Sequence, residues 1–193
     1  MTERANAQSD ATSLLWRRLD HPGLEHFTHG VAATGPVLEG TVISLPDESP
    51  LLVEYRILCT PDWHTVHVVV RVRHGSRRES IELSRDERFR WHRSGERLPA
   101  LDGCEDIDLS VTPSTNTLPI HRLGLDIGQS QDVTSAWIRF PSCDITPLPQ
   151  RYLRLSERRY RYESRGGEFS AELEVDEHGM VVDYPPGWER VRR

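Results

Sequence analysis

Four carboxylates fall within seven residues near the middle of the chain: Asp102, Glu105, Asp106 and Asp108. The residues after Cys104 alternate as in a β-strand, which places Asp106 and Asp108 on one face, about 6–7 Å apart. Like charges at that distance raise the pKa of one group unless a cation or hydrogen-bond donors compensate. Carboxylates also accept hydrogen bonds from neighbouring hydroxyls, and aromatic rings can stack on a sugar. The pair therefore indicates sugar recognition.

Another interpretation of these carboxylates is a solvated turn with one helix-capping Asp, and the residues alone leave both open. We rank Asp106 and Asp108 as the strongest ligand-binding candidates. Arg122 could contact a ligand or pair with one of these carboxylates, and pairing is the favoured interpretation.

Further candidates lie outside this segment. Asn116 suits a helix cap and is also a candidate ligand contact, and Tyr152 could line the mouth of a pocket. Near the N-terminus, Trp16, Glu25 and His26 form a second polar and aromatic group. Adjacent strand residues point in opposite directions, so we do not expect Glu25 and His26 to act together as acid and base. Trp16 and Glu25 stay as binding candidates.

The sequence predicts about a dozen short strands, separated by turn signals, as the elements that position these residues. Residues 64–73 give the clearest period of two, with alternate valines on one face. Gly40 lies inside a predicted strand and indicates a bend or bulge. We expect no connection long enough for a parallel crossover, and we expect regular structure to end at Pro185.

One short helix is predicted from Thr115 to Leu123, with Pro119 in its first turn and Gly124 at its end. The sequence therefore predicts an all-β, mainly antiparallel fold with one short central helix. A sheet of so many strands should be strongly curved, as a β-roll or open barrel wrapped around that helix. We expect a disordered tail over residues 1–12 and a single domain over residues 13–193.

Composition limits the possible partners. The net charge of -6 argues against binding of nucleic acid or of anionic membranes. Arginines and tyrosines interleave over residues 151–162, but glutamates among them favour an exposed hairpin over a nucleic-acid site. Three distant cysteines form no zinc or disulfide pattern, so we expect no metal and no cofactor. Without an apolar leader or a span of about 20 apolar residues, we expect a cytoplasmic protein with no integral membrane segment.

The central segment LDGCEDIDLSVTPSTNTLPIHRL (101–123), followed by QRY (150–152) and VDYP (182–185), resembles the family named "putative glycolipid-binding", formerly a domain of unknown function. The resemblance covers residues 14–191. It implies a curled antiparallel sheet around one helix, usually in a homodimer. It also implies a remote likeness to lipoprotein-localisation carriers and an acidic pocket for a glycolipid.

Two positions depart from the family pattern: Ser114 replaces a usual aromatic residue, and His121 replaces the first of two arginines. We expect a non-catalytic protein that binds or carries a glycolipid or another amphiphile. Two alternatives stay open: a carboxylate-dependent glycoside or ester hydrolase, and a dimeric interaction module without a small ligand.

Overall fold

The computed structural model describes residues 12–192, which form one large sheet and several short helices. The strands are β1 (Thr12–Arg18), β2 (Gly23–Ala32), β3 (Gly35–Ser44), β4 (Leu51–Cys59), β5 (Thr65–His74), β6 (Arg77–Arg85), β7 (Trp91–Arg93), β8 (Glu96–Arg97), β9 (Asp106–Leu109), β10 (Ser130–Ile138), β11 (Ile145–Ser156), β12 (Arg159–Ser164), β13 (Phe169–Val175), β14 (Val181–Tyr184) and β15 (Trp188–Arg190). The α-helix is α1 (Thr117–Leu123), and 3-10 turns span Pro99–Leu101, Ser114–Asn116 and Arg165–Gly167. Apart from Thr12, the predicted tail lies outside the described residues.

The sheet consists of a first arm, β1–β8, and a second arm, β9–β15, and every strand pair except β9 with β10 is antiparallel. Its order is β8-β7-β6-β5-β4-β3-β2-β1-β15-β14-β13-β12-β11-β10-β9, so β1 pairs with β15 and links the two ends of the described chain. Strand β15 corrects the expectation that regular structure ends at Pro185. Its three residues are too few to show a period, and pairing with β1 and β14 defines it.

One connection is a parallel crossover, which corrects the expectation that none is long enough. Strand β9 pairs with β10 in parallel, with Asp106 opposite Ser135 and Asp108 opposite Trp137. The intervening residues 110–129 hold a 3-10 turn and α1, and these carry the chain back to the start of β10. This crossover places the helix against the face of the sheet that carries Asp106.

The sheet is curved and does not close into a barrel. Side chains of the first arm hydrogen-bond to the backbone of β9 and of the residues just before it. The described strands of the first arm do not pair with β9 through backbone hydrogen bonds. The indole Nε1 of Trp91 donates to the carbonyl oxygen of Cys104 at 2.9 Å, and the amide of Ile107 donates to Oγ1 of Thr65 at 3.3 Å. These contacts hold the two arms together around the core.

The structure confirms the predicted all-β class with one short α-helix. The first turn of that helix is buried. Thr117, Leu118, Pro119 and Ile120 are all buried, and Gly124 ends the helix in the left-handed region at φ 53°. Val68, Val70 and Val72, at alternate positions of β5, are buried in the same core. No helix among residues 12–192 is both long enough and apolar enough to span a membrane.

Gly40 is needed for close packing and does not mark a bulge. The registers of β3 with β2 and with β4 run through it without interruption. A Cβ atom at this position would lie 2.4 Å from the ring of Tyr55. The expected bulge is therefore wrong, because the glycine instead makes room for a tyrosine that contacts Glu25.

Candidate functional site

A cavity of about 290 Å³ lies between the segment that precedes α1 and the second arm of the sheet. Five aromatic side chains contribute to its wall: Trp137, Tyr162, Phe169, Tyr184 and Trp188. Its polar groups are those of Arg18, Asp20, Asp108, Thr112, Asn116 and Arg165, among others. Two depressions of about 490 Å³ elsewhere are larger, but no aromatic residue lines them. The combination of aromatic walls with a few polar groups is typical of small-ligand sites.

Two carboxylates line this cavity, Asp20 at an exposed turn and Asp108 on β9, and Asp108 is the more buried of the two. The side-chain amide of Gln150 donates to its Oδ2, and Oγ1 of Thr115 lies 3.5 Å from its Oδ1. Burial raises the pKa of Asp108 to about 6, and these two hydrogen bonds only partly oppose that rise. The group is therefore ionised at neutral pH, with lone pairs to spare for a ligand hydroxyl.

A hydrogen-bonded network fixes the orientation of Gln150. Its Oε1 accepts from the hydroxyl of Ser135 at 2.8 Å, while its Nε2 also donates to the hydroxyl oxygen of Tyr162 at 3.0 Å. The network joins β9 to β12 through β10 and β11. Asp108 is thereby held in place by residues from three later strands, as the register of the sheet dictates.

Asn116 faces the cavity and is held by two partners. Its Oδ1 accepts from the hydroxyl of Tyr152 at 2.9 Å, and its Nδ2 donates to the carbonyl oxygen of Pro113 at 3.0 Å. Asn116 precedes α1, but its side chain makes no capping hydrogen bond. Tyr152 itself is buried behind the cavity, where its hydroxyl positions Asn116.

Asp106 and Arg122 form a buried ion pair with each other. Nε of Arg122 donates to Oδ1 at 3.0 Å and the terminal nitrogen donates to Oδ2 at 2.6 Å, while Glu105 lies 3.3 Å from the same guanidinium. Burial alone would lower the pKa of Arg122, but the bond to Asp106 raises it above its usual value. The ion pair links α1 to β9, and neither of its residues lines the cavity.

Glu25 is fully buried and reaches the cavity wall through Thr112. Its Oε1 accepts from the hydroxyls of Tyr55 at 2.5 Å and Thr112 at 2.8 Å, and Ser114 bonds to Tyr55 at 2.7 Å. Its Oε2 has no partner among the described residues. Burial raises the pKa of Glu25 to about 8.

The remaining residues singled out from the sequence have structural contacts. Trp16 is buried in the core, where its Nε1 donates to the carbonyl oxygen of Val181 at 2.9 Å. The ring of His121 stacks on Trp63 with centroids 3.9 Å apart and approaches the carbonyl oxygen of His178 at 2.9 Å. Asp102 pairs with Arg97 at the surface.

Of the predicted site residues, the cavity brings together Asp108 and Asn116, with Glu25 and Tyr152 one contact behind its wall. Asp106, Arg122 and Trp16 lie elsewhere in the core, and their assignment as ligand contacts stays a prediction. Sequence reasoning missed several cavity residues: Arg18, Thr112, Tyr184 and Trp188. Two quoted motifs contain members of this set, since the central segment (101–123) includes Thr112 and VDYP includes Tyr184.

Comparisons with known proteins give a family and a structural relative. The sequence profile of a family described as "Putative glycolipid-binding" matches residues 13–190. The crystal structure of a DUF1089 family protein from Pseudomonas aeruginosa is similar over 99% of each chain, with 32% identity and a TM-score of 0.74. No curated protein matches the sequence. The family match and the structural similarity therefore both extend over nearly the whole chain.

Proposed function

This chain belongs to the family described as "Putative glycolipid-binding", and we propose that its aromatic cavity binds the sugar head group of a glycolipid without catalysis. The observation that supports this proposal is the meeting of Asp108 with Asn116 and the aromatic wall in one recess. Aromatic faces stack on the apolar faces of sugar rings, and a carboxylate accepts hydrogen bonds from their hydroxyls. The volume of about 290 Å³ suits one head group.

Binding is favoured over hydrolysis at the paired aspartates. A glycosidase of the usual kind needs one carboxyl group as acid and a second as base or nucleophile. Asp106 is engaged by both nitrogens of the Arg122 fork and is buried away from the cavity. Asp108 is thus left without Asp106 as a partner for such chemistry.

The cellular setting extends the proposal. We further propose that the protein acts in the cytoplasm as a homodimer that shelters or carries its amphiphile. Size-exclusion chromatography with light scattering tests the dimer, and fractionation of the source cell tests the location. A monomer, or a protein found only outside the cytoplasm, would remove these parts of the proposal and leave the cavity unaffected.

Calorimetric titration with methyl and octyl glycosides of glucose, galactose and mannose tests the binding site. We expect at least one sugar to bind at pH 7.5, and Asp108→Asn to weaken that binding about tenfold or more, because hydrogen bonds to a charged group contribute about 1.5–3 kcal/mol. Wild-type affinity should fall as the pH is lowered through about 6, where Asp108 takes up a proton.

Asp132→Asn is the matched control. Asp132 lies exposed on β10 and lines one of the larger, non-aromatic depressions. Its substitution should leave sugar affinity unchanged. The proposal fails if no glycoside binds, or if Asp108→Asn and Asp132→Asn have the same effect.

A further inference from the structure

The outer face of the sheet carries an exposed apolar group at one end of β2 and β3. Leu24 and Ile43 are opposite each other in the register and are 50% and 59% exposed. Leu19 and Leu45, from the adjacent turns, are 43% and 40% exposed. We call these four side chains the rim patch. Opposed side chains on one face of a sheet are close enough to contact each other, so Leu24 and Ile43 form the centre of the patch, with Arg17 opposite Leu24 on its other side.

On β2 and β3 the rim patch is confined to this end of the strands; on β1, Leu15, opposite His26, is also exposed. The next outward-facing residues along β2 and β3 are polar: His26 is opposite Thr41, and Thr41 is opposite Glu54. An apolar group with a polar neighbouring row is typical of a binding surface, whereas scattered single residues are not.

The rim patch begins beside a turn that lines the aromatic cavity. The amide of Leu19 donates to the carbonyl oxygen of Gly187 at 2.9 Å, and Gly187 lines the cavity together with Arg18 and Asp20. On the other side, the amide of Leu45 donates to the carbonyl oxygen of Pro22 at 2.8 Å. The cavity and the patch therefore share the same turns.

The cavity is too small for a whole lipid. Ligand pockets range from about 300 to 1,000 Å³, and the 290 Å³ of this one lies just below that range. A hydrocarbon chain attached to a head group inside would have to leave through the mouth. The rim patch is an apolar surface next to the turns that line the cavity, and it lies within reach of a chain that leaves beside Gly187.

We propose that the hydrocarbon chain of the bound glycolipid lies on the rim patch, with Leu24 and Ile43 beneath it. This inference rests on the proposed function and adds the ligand class. The ligand is an amphiphile with one sugar-sized head in the cavity and an alkyl chain that passes over the rim, outside the core of the sheet.

A homologous series of hexyl, heptyl and octyl glycosides, used below their micelle concentrations, tests the inference. A fully buried methylene contributes about 0.8 kcal/mol, or about fourfold in affinity. A chain covered on one side only should gain about half that free energy, or about twofold for each methylene. Wild-type protein should show this gradient. Ile43→Glu should abolish it and leave methyl glycoside affinity unchanged.

Thr41→Glu is the control for Ile43→Glu, because it places the same charge on the same strand one outward position away. It should keep the gradient. Ile43 is exposed and Thr41 is half-buried on the outer face, so neither variant should unfold; a circular dichroism spectrum like that of the wild type shows this.

Each other outcome overturns the inference in a distinguishable way. If methyl glycosides bind but affinity does not rise with chain length, the chain does not lie on the rim patch, and the proposed function stands. If Ile43→Glu separates a dimer while the gradient persists, the patch is an interface between copies. If it abolishes binding to phosphatidylcholine vesicles while the gradient persists, the patch contacts a membrane. If no glycoside of any length binds, the proposed function fails too.

Discussion

Glu25 is a buried carboxyl group that should make the protein less stable as the pH rises. Its pKa in the folded protein is about 8, against an ordinary value of 4.5. Between these values the folded chain holds a proton that the unfolded chain releases, so stability falls with rising pH. The Glu25→Gln variant has the shape of the protonated form and cannot ionise. It should lack this component of the pH dependence.

The size of the effect follows from the two pKa values. Linkage gives a loss of about 2.5 kcal/mol from this group between pH 5 and pH 7. A further loss of about 1 kcal/mol accumulates by pH 8.5. The Glu25→Gln variant should therefore be close to the wild type at pH 5 and more stable than it at pH 7 and above. The neighbouring hydroxyls of Tyr55 and Thr112 can still donate to the amide oxygen of the isosteric side chain that the substitution introduces.

Urea unfolding followed by tryptophan fluorescence at pH 5, 6, 7 and 8 measures this difference. With a slope of about 2–3 kcal/mol/M, the two midpoints should separate by about 1 M between pH 5 and pH 7. Taking the difference between the proteins cancels other titrating groups, including Asp108. Glu48→Gln, in an exposed loop, is the control and should follow the wild type. Parallel curves for wild type and Glu25→Gln would refute the reasoning, because Glu25 would then be ionised in the folded protein.

Two other substitutions test the packing around the site. Arg122→Met should cost about 3–5 kcal/mol in urea unfolding, because it leaves Asp106 buried without its cation; adding Asp106→Asn should recover part of that loss, and a loss below about 1 kcal/mol would contradict the ion pair. Gly40→Ala should cost about 1–3 kcal/mol, because its Cβ would meet the ring of Tyr55. Gly30→Ala, where nothing lies within 4 Å of the added atom, is its control, and equal effects would show that Tyr55 does not press on Gly40.

Strand positions could be predicted wherever a period of two extends over several residues. Strand β4 begins and ends where the alternation of the sequence does, at Leu51 and Cys59. The three-residue strand β15 has no such pattern, since its pairing with β1 depends on residues at the opposite end of the chain. The role of Gly40 was missed for a related reason: its partner Tyr55 lies on the next strand, and the sequence shows no sign of that contact.

The candidate site was predictable only in part. The alternation correctly placed Asp106 and Asp108 on one face, but their different partners separate their roles. Arg122, on α1, pairs with Asp106, whereas Gln150, on β11, donates a hydrogen bond to Asp108 beside the cavity. Sheet register decides which distant strand supplies each partner, and local sequence patterns do not specify that register.

Native mass spectrometry of the protein, incubated with a mixture of glycolipids extracted from its source cell, tests the central claim most directly. We predict that the wild type retains a lipid whose fragmentation releases a sugar, and that Asp108→Asn loses it while Asp132→Asn keeps it. Wild-type protein that emerges without any bound lipid, or an adduct that Asp108→Asn holds as strongly as the wild type, would contradict the claim that the aromatic cavity binds the head group.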